Sequence, residues 1–251
     1  MSERAATVIR HVAAVAGYTT YIDLIRDLLA EDQAVIATGM TREIERVQAA
    51  IDTALSGRSC AIVCSGDPGI YAMAGLAMEI CRDRKLAVVH ARAERAGTAD
   101  GALALEVVPG IPALCAGASL LGAPLSHDFA AISLSDLLTP WVRIEQRIEA
   151  AARADFVVVF YNPKSRKRDW QLKKAQRILL RHRDAHTPVG VVTAAMRPHQ
   201  QVSIVPLAAL HEAEVGMQST VFVGSSSSFE YHDFMVTPRG YAQKYSDSLK
   251  G

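Results

Sequence analysis

Short runs of alanine, valine and β-branched residues alternate with amphipathic stretches along the chain, the pattern of parallel βα units. The first half predicts strands over residues 12–16, 34–38, 60–64, 86–91 and 103–108, with helices over 21–30, 42–55 and 71–84. Thr41 is placed to cap the helix at 42–55, with Glu43 and Glu45 in its first turn and Gly57 past its end. Uninterrupted Ala-Ile-Val and Ala-Val-Val runs imply a sheet buried on both faces. Pro109-Gly110-Ile111-Pro112 then interrupts regular structure, marking the boundary between a domain over 1–110 and a second over 111–251. The second half predicts strands over 131–134, 156–161, 189–194, 201–205 and 220–223, and helices over 141–154 and 170–182. Only a short helix-like segment separates the last two strands, so this second sheet is expected to be mixed. Residues 2–10 read as an amphipathic helix with no strand before it, and the tail after 234 reads as loop.

At 251 residues the chain suits two small α/β/α domains better than one core, because single cores stop growing at roughly 250 residues. The apolar fraction of 50% and formal charge of +1 provide no global field to recruit nucleic acid or an anionic membrane. Any anionic ligand must be met by local basic residues. No apolar run reaches the roughly 18 residues of a membrane span, and the N-terminus lacks a secretory pattern, so a cytoplasmic protein is expected. Cys60, Cys64, Cys81 and Cys115 form no Cys-x-x-Cys and have no histidine at metal-ligand spacing, which predicts buried thiols and no metal site.

Four stretches carry candidate chemistry. Ser65-Gly66-Asp67-Pro68-Gly69-Ile70-Tyr71 leaves a buried strand and enters a helix. In open parallel sheets that is where ligands sit, although a plain capped turn explains the residues equally well. It is neither a Walker A loop nor a Gly-x-Gly-x-x-Gly fingerprint. Val107-Val108-Pro109-Gly110-Ile111-Pro112-Ala113 forms a second strand end, followed by small residues around 116–119. His127-Asp128 sets an imidazole beside a carboxylate, but neighbours on an extended chain point apart. Lys164-Ser165-Arg166-Lys167-Arg168 follows a buried strand, as a solvated run or an anion contact. Lys173, Lys174, Arg177, Arg181 and Arg183 are assigned to solvent.

Together these segments resemble the tetrapyrrole methylase family, most closely its branch that methylates a precorrin at C17. The match takes in Gly17-Tyr18-Thr19-Thr20-Tyr21, Gly39-Met40-Thr41-Arg42-Glu43, the Ser65–Tyr71 turn and Val108-Pro109-Gly110-Ile111. It continues through Pro124-Leu125-Ser126-His127-Asp128-Phe129, Ser133-Leu134-Ser135-Asp136-Leu137-Leu138-Thr139-Pro140-Trp141, Phe160-Tyr161-Asn162-Pro163 and Thr237-Pro238-Arg239-Gly240-Tyr241. The resemblance implies two α/β/α domains with a cleft between them, a homodimer, and S-adenosylmethionine as cofactor with S-adenosylhomocysteine as product. It implies methylation of precorrin-3B at C17 with ring contraction to precorrin-4, in cobalamin biosynthesis. Family members open with a strand and a Gly-x-Gly-Pro-Gly loop. This chain starts after both, which explains the unpreceded helix and is taken as a late start site.

Carried over by motif, the cofactor contacts are Ser65, Gly66, Asp67, Ile70, Tyr71, Pro112, Ala113, Asn162 and Ala195. The sulfonium of the cofactor is already electrophilic, so the reaction mainly needs the attacking carbon held in line, plus removal of a hydroxyl proton during contraction. His127 is the first candidate for that proton, with Asp128 second; Ser133 and Asp136 are assigned to the substrate. Arg42, Lys164, Arg166 and Arg239 are the candidate clamps for precorrin carboxylates. Rival readings are another methyltransferase of the same fold (precorrin-4 C11 type or diphthine synthase), a non-catalytic dimeric binder, and a nucleotide-binding α/β protein.

Overall fold

A computed structural model describes residues 1–91, 101–165 and 168–245, and the chain divides into two compact units, Met1–Pro112 and Ala113–Gly251. The first unit begins with α1 (Glu3–His11), capped by the Ser2 hydroxyl, which accepts from the Ala5 amide at 3.2 Å. There follow β1 (Ala14–Tyr18), α2 (Thr19–Asp23), β2 (Ala34–Thr38), α3 (Glu43–Leu55), β3 (Cys60–Val63), α4 (Met73–Asp83), β4 (Val88–His90) and β5 (Leu103–Leu105). Strands β2, β1 and β3 form a parallel sheet in that order, with Ala14 opposite both Ala34 and Cys60. β4 and β5 make a separate parallel pair.

Only the central strand of this sheet is fully buried. Ala14, Val15 and Ala16 are inaccessible, whereas β2 alternates and β3 is half-buried throughout, so the expected two-sided burial holds for β1 alone. Gly17 permits this packing: a Cβ there would meet Val63 Cγ2 at 2.5 Å and Ile22 Cδ1 at 2.8 Å. The helix expected over 21–30 is instead the short α2 and a 3₁₀ turn at Arg26–Leu28. Ile22, Ile25 and Leu28 pack into one cluster with Ile9 and Val15, and their spacing of three is the period of a 3₁₀ turn. Thr41 does not cap α3. It adopts a left-handed φ of 67° and its hydroxyl bonds the Met40 carbonyl, leaving Arg42 at the N-cap position.

The second unit comprises α5 (Ala113–Leu121), β6 (Gly122–Ala123), β7 (Phe129–Ser133), α6 (Trp141–Arg153), β8 (Val157–Tyr161), α7 (Gln171–Leu179), β9 (Pro188–Thr193), β10 (Gln201–Pro206) and β11 (Ser219–Val223). Beyond these, β12 (Phe229–Tyr231), β13 (Phe234–Val236) and α8 (Tyr241–Lys244) close the described chain. The main sheet runs β10-β9-β11-β8-β7, with β7 and β8 parallel and the other pairs antiparallel: a mixed sheet. Val158, Phe160, Val191, Val221 and Val223 face α6 and α7, meeting Ile144, Ile148, Leu172 and Leu179. The alternate positions face α5. A Cβ on Gly117 would lie 2.7 Å from the Phe222 ring and one on Gly190 2.4 Å from Leu121, so each element packs a side chain onto the bare backbone of the other.

Two expectations fail here. The tail is not loop: β12 pairs with β13, β13 pairs with β6, and Met235 is inaccessible at their centre. Each strand has only three residues, too few for the alternation to stand out in sequence. Arg183 is not a solvent residue but is 7% exposed. Its guanidinium donates to the carbonyls of Ala152 (2.6 Å), Phe156 (3.1 Å) and Gly224 (3.4 Å), and pairs with Asp155 at 3.0 Å. Burial lowers its pKa, and the Asp155 carboxylate opposes that shift. Asp155 in turn accepts from the amide and hydroxyl of Ser226, so one arginine ties the end of α6 to the chain after β11. Replacing Arg183 with leucine removes the donors to the Phe156 and Gly224 carbonyls and the cation beside Asp155, and should lower the unfolding free energy by about 3 kcal/mol in urea denaturation.

Candidate functional site

In the first unit the two candidate turns are joined. The turn after β3 and the segment after β5 meet at Gly66 and Gly110, and a Cβ on Gly110 would stand 2.0 Å from the Gly66 carbonyl oxygen. Glycine at 110 is therefore a requirement of contact, and Gly66 adds a left-handed φ of 82°. Asp67 fixes the contact. Its Oδ1 accepts from the Gly69 amide at 2.8 Å and its Oδ2 from the Gly110 amide at 2.9 Å. The Asp67 side chain is thus a strut between the two turns, which leaves its backbone, the expected cofactor contact, in place. The Ile70 amide donates to the Asp67 carbonyl at 3.2 Å, and Tyr71 follows with a φ of 51° before α4 begins. Arg4 and Glu106 brace the second segment with an ion pair at 2.6 Å.

At the end of β2 the arginine that matters locally is Arg46, which sequence reasoning missed. It is 4% exposed and donates to the Thr38 hydroxyl at 2.8 Å and the Gly39 carbonyl at 3.1 Å. Its spacing of eight from Thr38 was the available signal, but no pattern marked it. Arg42, the nominated clamp, is exposed and paired with Glu45 one turn along α3; that bond raises the guanidinium pKa and holds the Glu45 carboxyl below its usual range.

In the second unit, β7, β8 and β9 end at one edge, because β9 and β8 both run antiparallel to β11. Ser133 at the end of β7 accepts from Asn162 Nδ2 at 3.0 Å and from the Ser135 amide at 3.2 Å. The Tyr161 hydroxyl accepts from the Leu114 amide at 2.9 Å, which brings Ala113 and the first turn of α5 to the same edge. Tyr161 was quoted within a motif without a role; its preference for a buried ring with a wet tip was the signal. Asn162, Ala194 and Met196 all have positive φ (50°, 51° and 58°), with Ala195 held half-buried between the last two. Left-handed non-glycine residues persist only where their surroundings hold them, and they gather at functional sites.

The remaining nominees lie elsewhere or stand apart. His127 and Asp128 sit at the amino end of β7, where the Asp128 carbonyl accepts from the Val157 amide at 3.1 Å. One strand length, roughly 15 Å, separates them from Ser133 at the other end of β7. The imidazole folds onto its own backbone, Nδ1 accepting from the Asp128 amide at 2.7 Å. Asp136 faces inward and accepts from Gln171 Nε2 at 3.0 Å. Lys164 and Arg239 are exposed, the latter just before the left-handed Gly240. Arg166 lies outside the described residues. Burial pushes the Cys60 thiol up to about 11 and raises that of Cys64 at the end of β3, so neither supplies a thiolate near neutrality.

Residues 1–211 match the family described as Tetrapyrrole (Corrin/Porphyrin) Methylases. The chain is 48% identical over 246 residues to a cobalt-factor III methyltransferase of Priestia megaterium, covering 98% of this chain and 43% of that protein. It is 46% identical to a probable cobalt-factor III C(17)-methyltransferase of Salmonella typhimurium (90% and 88% covered) and 36% identical to a precorrin-3B C(17)-methyltransferase of Sinorhizobium sp. (90% and 85%). Among solved structures it is similar to the methyltransferase CobJ, with a TM-score of 0.81, 32% identity, and 95% and 93% of the chains covered. The fold is also shared with a uroporphyrin-III C-methyl transferase from Thermus thermophilus complexed with S-adenyl homocysteine, at a TM-score of 0.62, 19% identity, and 89% and 90% covered.

Two outcomes follow for the joined turns. Gly110→Ala forces one turn off the other and should cost about 2 kcal/mol, while Asp67→Ala strands two amides and should cost about 1–3 kcal/mol in the same urea titration. Alkylation of Cys60 by iodoacetamide should stay slow at pH 8 and accelerate only as pH approaches 11, because burial raises the folded-state pKa; mass mapping of each cysteine against pH checks this.

Proposed function

The chain belongs to the tetrapyrrole methylase family, and from that premise we propose that it transfers a methyl group from S-adenosylmethionine to C17 of a precorrin-3B-type macrocycle. The macrocycle contracts in the same reaction, to the precorrin-4 level, within cobalamin biosynthesis. The cobalt-bearing form is the favoured substrate, since the relatives at 48% and 46% identity are named for cobalt-factor III and the one at 36% for precorrin-3B. The chain spans 43% of the Priestia protein's length, and the activity assigned here is that of the methylase segment. The observation that carries the reading is the Asp67 strut, which holds the Gly-Asp-Pro and Val-Pro-Gly motifs together, backbone against backbone.

Joined turns at two strand ends suit a cofactor held by main-chain contacts. Ser65, Gly66 and the backbone of Asp67, with Ile70, Tyr71 and Pro112, are the first unit's contacts for S-adenosylmethionine. Ala113, Asn162 and Ala195 are the second unit's. When bound, the cofactor supplies an electrophilic methyl group, and its use is supported by the S-adenyl homocysteine in the Thermus structure. The protein's part is positional. Tyr161 fixes the first turn of α5, and Ser133 orients the Asn162 amide. Lys164, Arg166 and Arg239 take substrate carboxylates, and Arg42 can join by exchanging its exposed partner Glu45. Contraction requires loss of a hydroxyl proton; His127 and Asp128 are the proposed groups for it, and Ser133, Tyr161 and Asn162 stand at the carboxyl ends of β7 and β8.

The proposal includes a cytoplasmic homodimer. Among the described residues no helix is long and apolar enough to cross a membrane, and Phe229, Tyr231 and Phe234 are exposed together on β12 and β13.

Incubation with S-adenosylmethionine and cobalt-factor III, or precorrin-3B, should give a product one methyl group heavier with the absorbance change of ring contraction. A methylated but uncontracted product would instead identify a C11-type enzyme, and absence of S-adenosylhomocysteine binding in calorimetry would identify a non-catalytic binder. Lys164→Ala and Arg239→Ala should each raise KM for the tetrapyrrole roughly tenfold with little change in kcat, as expected for charge-assisted contacts made before and during reaction.

A further inference from the structure

The segment between β7 and α6 exposes two leucines on a base built to hold them. Leu137 is 81% exposed and Leu138 93%, the most exposed large apolar side chains among the described residues. An apolar tip standing in water is unusual unless something covers it. The base beneath joins a buried amide to a half-exposed tryptophan pair, with Trp170 41% exposed. Gln171, 1% exposed, donates to the Asp136 carboxylate at 3.0 Å, immediately before the two leucines. Trp141, three residues after Leu138, packs edge-on against Trp170 with ring centroids 4.9 Å apart, and the Lys174 ammonium lies 4.7 Å over the Trp170 ring. Gln171 Oε1 and Trp141 Nε1 are buried without partners, so the base gives up hydrogen bonds to keep this arrangement. At its other end the segment is tied to the Ser133 cluster, since the Ser135 amide donates to the same hydroxyl that receives Asn162.

We propose that residues 135–140 are an apolar clamp for the ring face of the tetrapyrrole, with Leu137 and Leu138 as specificity-determining residues and Asp136 and Gln171 as positioning residues. The inference rests on the tetrapyrrole reading above and adds to it the part of the chain that takes the ring itself. A macrocycle offers two chemistries: an acidic rim, which needs cations, and a broad apolar face, which needs side chains such as these. Asp136 would repel the rim if it pointed outward. Turned inward onto Gln171, it places two uncharged side chains at the tip and keeps its own charge away from them.

The two tryptophans of the chain both lie in the base, so their emission reports occupancy directly. Titration of the full chain with uroporphyrin III, a stable acidic tetrapyrrole, should quench that emission. The double variant Leu137→Ser/Leu138→Ser should bind it roughly 10–100-fold more weakly and raise KM for the methyl acceptor by a similar factor. Its kcat, its affinity for S-adenosylhomocysteine and its mass by light scattering should match the parent. Asp136→Ala should raise KM about tenfold, and Asp136→Asn, which keeps the acceptor for Gln171, should recover most of that loss. An unchanged KM and titration in the double variant would overturn the clamp, as would a changed oligomeric mass with unchanged KM, which would make the leucines a protein contact. A parent chain that neither binds uroporphyrin III nor methylates its acceptor would bring down the tetrapyrrole reading, and the clamp with it.

Discussion

A strand covered on both faces has no side chain left to offer a ligand, and that constraint shapes the second unit. Val157 to Phe160, most of β9 and all of β11 are buried, one set of positions against α6 and α7 and the other against α5. Polar function is displaced to the strand ends, where the chain must leave the sheet in any case. The left-handed residues Asn162, Ala194 and Met196 show how abruptly it leaves. In the first unit the same pressure acts on fewer strands, and the turns after β3 and β5 compensate by leaning on each other through Asp67.

The strands were legible because their signal is local. Continuous Val, Ile and Ala runs put β2 at its observed limits and β8, β9 and β11 within one residue of theirs. The family was legible because its marks are contiguous motifs, confirmed by a match over residues 1–211. What failed depended on tertiary partners. The helix expected over 21–30 broke because Ile22, Ile25 and Leu28 share one core cluster or its flank. Arg183 read as one more cation on a basic helix, yet the carbonyls that bury it come from residues 152, 156 and 224.

Charged and amide side chains near these edges bond the protein's own backbone and neighbouring side chains. Asp67 holds two amides, Arg46 a hydroxyl and a carbonyl, Gln171 a carboxylate. These side chains act as supports for main chain and small side chains, in keeping with a reaction that asks for alignment more than for acid or base strength.

The near contact of α5 with its sheet has a mechanical meaning. Gly117 lets the helix settle on the Phe222 ring, and Gly190 makes room for Leu121 one turn further on. The height of the helix above the strands is therefore gauged by two missing methyl groups. The Leu114 amide reaches the Tyr161 hydroxyl at 2.9 Å only at that height. The sheet interior thus acts as a spacer, and the placement of one amide at its rim is set by packing a full helical turn away.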